Sequence, residues 1–223
     1  ITTTFTLTPF SACAGTASTS TLSQYFRVSG SNLTADITVT APTDFEVSTE
    51  GGDFGPSVTL TQSGGIVEIT TIFVRMASTA TGTPSGNVTC ASTGATTQTV
   101  AASGTVNALP TITLGTINPV SSTATSFSIP YTATTGSPDQ YSLTTGTPTA
   151  MPSFSAVTDA PLPASPISVT IPPSAANTYN FNLTLKNSTT GCVSAAVPVA
   201  LVVTAPACTP LATTPGDVTI TWT

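Results

Sequence analysis

The sequence predicts an all-β protein: two antiparallel β-sandwiches in tandem, with strand-like extensions at both ends. Three observations carry this. Threonine supplies 51 of the 223 residues, and its β-branched side chain, stiff at χ1, favours the pleated surface of a strand over a helix. Apolar residues alternate with Thr, Ser and other polar residues through most of the chain, the two-residue period of half-buried strands. Turn residues interrupt that alternation about every 8–12 residues, the spacing of a sandwich. No stretch holds a helical period of useful length, and the chain length suits two domains of about 100 residues each.

In the first half, strands are expected near Thr4–Thr8, Tyr25–Ser29, Asp36–Thr40, Phe45–Ser48, Ser57–Thr61, Ile66–Met76, Asn87–Ala91 and Gln98–Val106. The turns between them fall at Ser29-Gly30-Ser31-Asn32, Glu50-Gly51-Gly52-Asp53, Ser63-Gly64-Gly65 and Thr93-Gly94-Ala95. Asn107-Ala108-Leu109-Pro110 is the expected linker, since proline cannot donate to a sheet ladder and stiffens the join. Strands resume near Thr111–Leu114, Ser126–Thr132, Gln140–Thr144, Ser153–Val157, Ile167–Ile171, Thr178–Lys186 and Ala195–Thr204, with prolines crowding the connections. The division is therefore 1–107 for the first domain (1–9 as a candidate exchanged strand), 108–205 for the second, and 206–223 for a Thr/Pro-rich tail that ends in a strand.

Composition removes several function classes. The chain has no histidine and only three Lys and Arg residues, namely Lys186, Arg27 and Arg75. Acid–base and nucleophilic catalysis usually rests on a group that titrates near neutrality, so the composition points away from an enzyme, and no cofactor is expected. Nucleic-acid binding needs a basic footprint, which three scattered cations on a chain of net charge −6 do not provide. A membrane-spanning helix needs about 20 apolar residues, whereas the longest apolar run, Ala195–Val203, is interrupted by Pro198. Membrane insertion is not expected. Neither a signal peptide nor an initiator methionine stands at Ile1, as in a mature form or an excised piece.

The cysteines are Cys13, Cys90, Cys192 and Cys208. No CxxC pair with a nearby histidine marks a metal site. Four cysteines allow three connectivities, of which the economical one pairs within each half, Cys13–Cys90 and Cys192–Cys208. Four buried thiols are the alternative. Disulfides would place the chain in an oxidising compartment.

Both ends read as strands. Near the amino end, Phe5 and Leu7 share a face; in the tail, Val218, Ile220 and Trp222 share one face of Asp217–Thr223 and threonines line the other. Three explanations stand: a cut from a longer tandem array, a tail that pairs with its own second domain, or an end strand that completes a sheet in a neighbouring subunit.

The runs ITVTAPTDFEVS (Ile37–Ser48), SVTLTQSGG (Ser57–Gly65), TTIFVRM (Thr70–Met76) and TGTPSGNVTCASTGATTQTVAASGTV (Thr81–Val106) resemble a repeated module of large secreted surface proteins of Bacteroidota, of the kind exported by type IX secretion. The run LPASPISVTIPPSAANTYNFNLTLKNSTTGCVS (Leu162–Ser194) resembles another immunoglobulin-like repeat from such proteins. The resemblance implies two Ig-like sandwiches, an extracellular or cell-surface location, and adhesion or fibre roles. It brings no catalytic residues.

Candidate sites are few. Asp44, Glu46, Glu50 and Asp53 form the densest acidic cluster and could supply part of a calcium shell, although no DxDxDG-type loop is present. A solvated strand end is the plainer reading. Tyr25, Tyr131, Tyr141, Tyr179 and Trp222 could stack on sugars if their rings are not core. Lys186, with Asp159 or Asn187, could form an isopeptide cross-link if a buried acid were near; otherwise it is a surface lysine. Asn32, Asn87, Asn182 and Asn187 begin N-x-S/T sequons. The expected function is a structural subunit or repeat of a secreted fibre or adhesin, self-associating and contacting a surface glycan. The alternative is a non-catalytic polysaccharide-binding or spacer module of a secreted hydrolase.

Overall fold

The computed structural model describes residues 1–18, 24–50 and 52–206. Among these residues there is no helix; all regular structure is strand. The first sandwich is built from β1 (Thr2–Thr4), β2 (Phe10–Cys13), β3 (Gln24–Gly30), β4 (Ile37–Thr40), β5 (Phe45–Ser48), β6 (Ser57–Leu60), β7 (Val67–Met76), β8 (Ser85–Ala91) and β9 (Gln98–Asn107). One sheet has the order β1-β3-β7-β5 and the other β2-β9-β8-β4-β6. Pairing is antiparallel except between β2 and β9, which run parallel. The chain crosses from one sheet to the other and back between β4 and β7, because β5 joins β7 while β6 joins β4.

The second sandwich comprises β10 (Thr111–Leu114), β11 (Val120–Ser121), β12 (Ser126–Ile129), β13 (Tyr131–Thr135), β14 (Gln140–Thr145), β15 (Val157–Pro161), β16 (Ile167–Thr170), β17 (Asn177–Lys186) and β18 (Val197–Thr204). Its larger sheet, β11-β18-β17-β14-β15, matches β2-β9-β8-β4-β6 strand for strand, including the parallel pair at the end, β11 with β18. On the other face β10 pairs with β13 and β12 with β16. β12 and β13 are one strand cut at Pro130, which has no N–H to give a ladder; its carbonyl still accepts from Gly115 N at 2.7 Å. The two sandwiches are thus one topology used twice, the immunoglobulin-like arrangement of two facing antiparallel sheets. The counterpart of β5 has no place among the named strands of the second.

Alternation makes the cores. In β3 Phe26 and Val28 point inward while Tyr25 and Arg27 point out; in β17 Tyr179, Phe181, Leu183 and Leu185 point inward. Two hydrophobic clusters result, one centred on Phe26, Ile37, Ile72, Val74 and Met76, the other on Phe127, Leu143, Phe181, Leu183 and Leu201. Burial of each such side chain stabilises the fold by about 1.5–3 kcal/mol.

Three expected strands differ. Thr4–Thr8 gives way to the shorter β1, followed by β2 in the opposite sheet: Phe5 sits at φ 73°, and Pro9 adds a residue without a donor. Ser126–Thr132 is split by Pro130. Ser153–Val157 moves on to Val157–Pro161, because Pro152 and the positive φ of 57° at Ser153 keep the chain out of a strand there. The amino-terminal strand lies in the chain's own sheet, Thr2–Thr4 against Arg27–Ser29 of β3.

Candidate functional site

Cys13 closes β2 beside Asn107, the last residue of β9. Asn107 Nδ2 donates to Ser11 Oγ at 2.9 Å and to Ala12 O at 3.2 Å, and Ala14 N donates to Asn107 O at 2.9 Å. The end of the first sandwich is thereby tied down where the linker leaves it. From here Cys13 forms a disulfide with Cys192, at a Cα–Cα distance of 5.5 Å. Cys192 lies between β17 and β18, in a loop held by Asn187 N to Cys192 O at 3.0 Å, Ser194 N to Leu185 O at 2.8 Å, and Leu185 N to Ser194 Oγ at 2.9 Å. The bond therefore joins the two sandwiches.

This corrects the expected Cys13–Cys90 bridge. Cys90 pairs with Gln98 at the start of β9, whereas Cys13 pairs with Asn107 at its end. At about 3.3 Å per residue, nine residues of strand separate them by roughly 30 Å, and a disulfide needs Cα atoms within about 7 Å. Cys90 is instead a free thiol buried in the first core. Burial pushes the thiol up to about 11, so it is held as an unreactive SH. Cys208 lies outside the described residues, as do Val218, Ile220 and Trp222.

The other side of the junction is packed too. Gly136, in the turn after β13 at φ +72°, brings its α-carbon so close to the linker that an added Cβ would meet Pro110 Cα at 2.9 Å. Asn187 Nδ2 donates to Gly136 O at 3.0 Å. The loop that carries Cys192, the turn at Gly136 and the linker form one cluster.

The acidic candidates do not converge. Glu46 of β5 lies opposite Arg75 of β7, and its Oε2 accepts from Arg75 Nε at 2.7 Å. That carboxylate is already partnered. Asp44, at φ 69°, contributes its carbonyl to Ala77 N at 2.9 Å, while Glu50 and Asp53 are exposed. Among the described residues no three His, Cys, Asp or Glu side chains come together as metal ligands. Lys186 Nζ lies 2.6 Å from Asp159 Oδ2, with side chains 32 % and 43 % exposed. An amide cross-link needs a buried, protonated acid, whereas here the hydrogen bond from Lys186 holds the Asp159 carboxyl below its ordinary value. The pair is an ion pair.

Of the tyrosines named as sugar platforms, Tyr141 and Tyr179 are core residues. Tyr131 is half-buried and donates its hydroxyl to Pro163 O at 2.6 Å. Tyr25 is different. It stands on the outer face of the β1-β3-β7-β5 sheet, in register with Phe73, and ring centroids run from Phe5 to Tyr25 at 5.7 Å and from Tyr25 to Phe73 at 6.2 Å. Arg27 lies 5.5 Å over Phe5, and farther along the face Arg75 lies 4.2 Å over Phe54. Sequence reasoning found Tyr25 and paired Phe5 with Leu7; it missed Phe73 and Arg27. The strand alternation YFRVS (Tyr25–Ser29) and IFVRM (Ile72–Met76) carried that signal, once the two strands are paired in register.

No family model matches the chain, and no curated protein matches it. Solved structures with similar strand arrangements include the mouse nectin-like molecule 4 ectodomain, Ig1–Ig3 (12 % identity, 90 % of this chain and 64 % of that one, TM-score 0.31). Others are the adhesin domain of Epf from Streptococcus pyogenes (11 %, 81 % and 72 %, TM-score 0.31) and the Bacteroides ovatus mixed-linkage glucan utilization locus SGBP-B in complex with a heptasaccharide (15 %, 87 % and 43 %, TM-score 0.23). The chain spans less than two thirds of the nectin-like ectodomain. At such values the likeness is to strand architecture and carries no function with it. The class is a tandem immunoglobulin-like β-sandwich protein.

Proposed function

We propose that this chain is a rigid two-domain unit, residues 1–107 and 108–205, of a secreted surface protein that spans distance and presents a surface for adhesion. The observation that carries the reading is the Cys13–Cys192 bond. One short linker lets two domains swing and twist; a second covalent tie beside it removes most of that freedom. The two hydrophobic clusters share no residue, which supports the division. A disulfide favours an oxidising compartment, and the resemblance of Ile37–Ser48 and Thr81–Val106 to secreted repeats of Bacteroidota supports export by the type IX route.

Assembly into a fibre belongs to the same proposal. Its donor is Asp217–Thr223, whose apolar residues alternate, and its acceptor is the outer edge of β16, where the second sandwich has no named counterpart of β5. An unpaired edge invites an added strand. Small-angle scattering tests both parts. The oxidised protein gives a narrow distance distribution, and Cys13→Ser broadens and lengthens it. Particle mass exceeds the monomer's 22.2 kDa in the full chain and falls to that of the shortened monomer when residues 217–223 are removed. Identical curves for the wild type and Cys13→Ser overturn the clasp; a monomeric full chain overturns the fibre.

A second reading, a polysaccharide-binding module, is favoured by one observation: the exposed ring pair Phe5 and Tyr25. The two readings are compatible, since adhesion requires a ligand.

A further inference from the structure

We propose that the outer face of the β1-β3-β7-β5 sheet is a binding site for acidic polysaccharide, with Phe5, Tyr25 and Phe73 as the sugar platform and Arg27 as the reader of the uronate carboxylate. The inference deepens the polysaccharide-binding reading by naming the site and the charge of its ligand.

Phe5 and Tyr25 are the most exposed aromatic side chains among the described residues, at 57 % and 41 %. They are neighbours, and Phe73 continues the row, the rings meeting edge to face at interplanar angles of 65° and 61°. Phe5 is held there at φ 73°, a conformation that bulky side chains rarely adopt. Strain of that kind needs surrounding structure to maintain it and gathers at working surfaces.

Charge selects the ligand. Among the described residues Lys186 is paired with Asp159 and Arg75 with Glu46, while Arg27 has no carboxylate partner. It is exposed, sits 5.5 Å over the Phe5 ring, and lies between Thr4 and Thr71 in the strand register. The whole chain carries −6, and this sheet brings Arg27 and Arg75 together with two carboxylates, Glu46, which holds Arg75, and the exposed Glu68 of β7, so Arg27 is the guanidinium left to meet a ligand. A guanidinium presents paired donors to a carboxylate, and the rings beside it offer apolar surface to the C–H face of a pyranose. A neutral glycan would leave Arg27 unused; a free carboxylate would leave the rings unused. A uronate polymer engages both.

The test is calorimetric titration of the full chain with oligogalacturonate and, as the neutral comparison, a cello-oligosaccharide of equal length. Oligogalacturonate binds at least about tenfold more tightly, and its affinity falls as salt rises. Arg27→Gln removes that preference, while Tyr25→Ala weakens binding about tenfold, and Lys186→Gln changes neither; circular dichroism verifies that each variant is folded. Equal affinity for the two sugars overturns the acidic assignment and leaves the polysaccharide reading standing. Binding of neither sugar overturns both. A concentration-dependent dimer that Tyr25→Ala abolishes and sugar does not displace gives the face to a second copy and overturns the proposal.

Discussion

Two aspartates of the second sandwich make the clearest residue-scale case. Asp139 accepts from Ser188 N at 2.8 Å and from the Ser188 hydroxyl; those two bonds hold its carboxyl below the ordinary value. Asp159 is held low first by its hydrogen bond from Lys186. A carboxylate whose folded value lies below its unfolded one contributes stability above the unfolded value, and loses it as pH falls through the folded one. Melting temperatures should therefore fall as pH drops through and below the ordinary carboxylate range, and Asp139→Asn should flatten that acid limb without changing melting at neutral pH by more than the lost hydrogen bonds. A limb as steep in the variant as in the parent would exclude the Asp139–Ser188 contact. Both groups are open to solvent, so the slope should also weaken with added salt.

At the scale of elements, the turns decide more than the strands. Gly136 needs its positive φ and also its missing side chain, because Pro110 backbone fills the space where a Cβ would stand. Gly136→Ala should destabilise the second sandwich by about 1–3 kcal/mol, lowering its melting by roughly 5–15 °C. Gly191, at φ +74° with nothing within 4 Å, is the control, and Gly191→Ala should cost less. Equal losses would mean that the linker does not press on the turn. The strands themselves were legible in the sequence. Phe45–Ser48 and Thr111–Leu114 stand where the alternation placed them, because period-two patterning follows directly from which side chains face the core. Short elements escaped it. β11 has two residues, too few for any period, and β2 is set apart from β1 by a backbone angle at Phe5 that no pattern announces. The aromatic face was half legible: Phe5 and Tyr25 were named from the sequence, but the adjacency of Tyr25 to Phe73 depends on the register of β3 against β7, a contact between residues distant in sequence.

The whole molecule turns on one long-range bond. Distance along the chain misled here, since the shortest closures seemed the natural ones, whereas Cys13 and Cys90 occupy opposite ends of a sheet. The Cys13–Cys192 bond closes a separation of 179 residues, worth at most roughly 5 kcal/mol in the chain-entropy model. In the proposed two-domain unit its larger effect is on shape, since it adds a second covalent tie beside the linker. The chain's scarcity of cations makes the decisive measurement simple. Trypsin cuts after Arg27, Arg75 and Lys186, so Cys13, Cys90 and Cys192 fall in different peptides. Alkylation after denaturation without reductant, then digestion and mass spectrometry, should show peptide 1–27 joined to 187–223, with fragmentation placing the bond on Cys192 and Cys90 alkylated in 76–186. Peptide 1–27 joined to 76–186, or recovered alone with Cys13 alkylated, would contradict the clasp and with it the rigid unit.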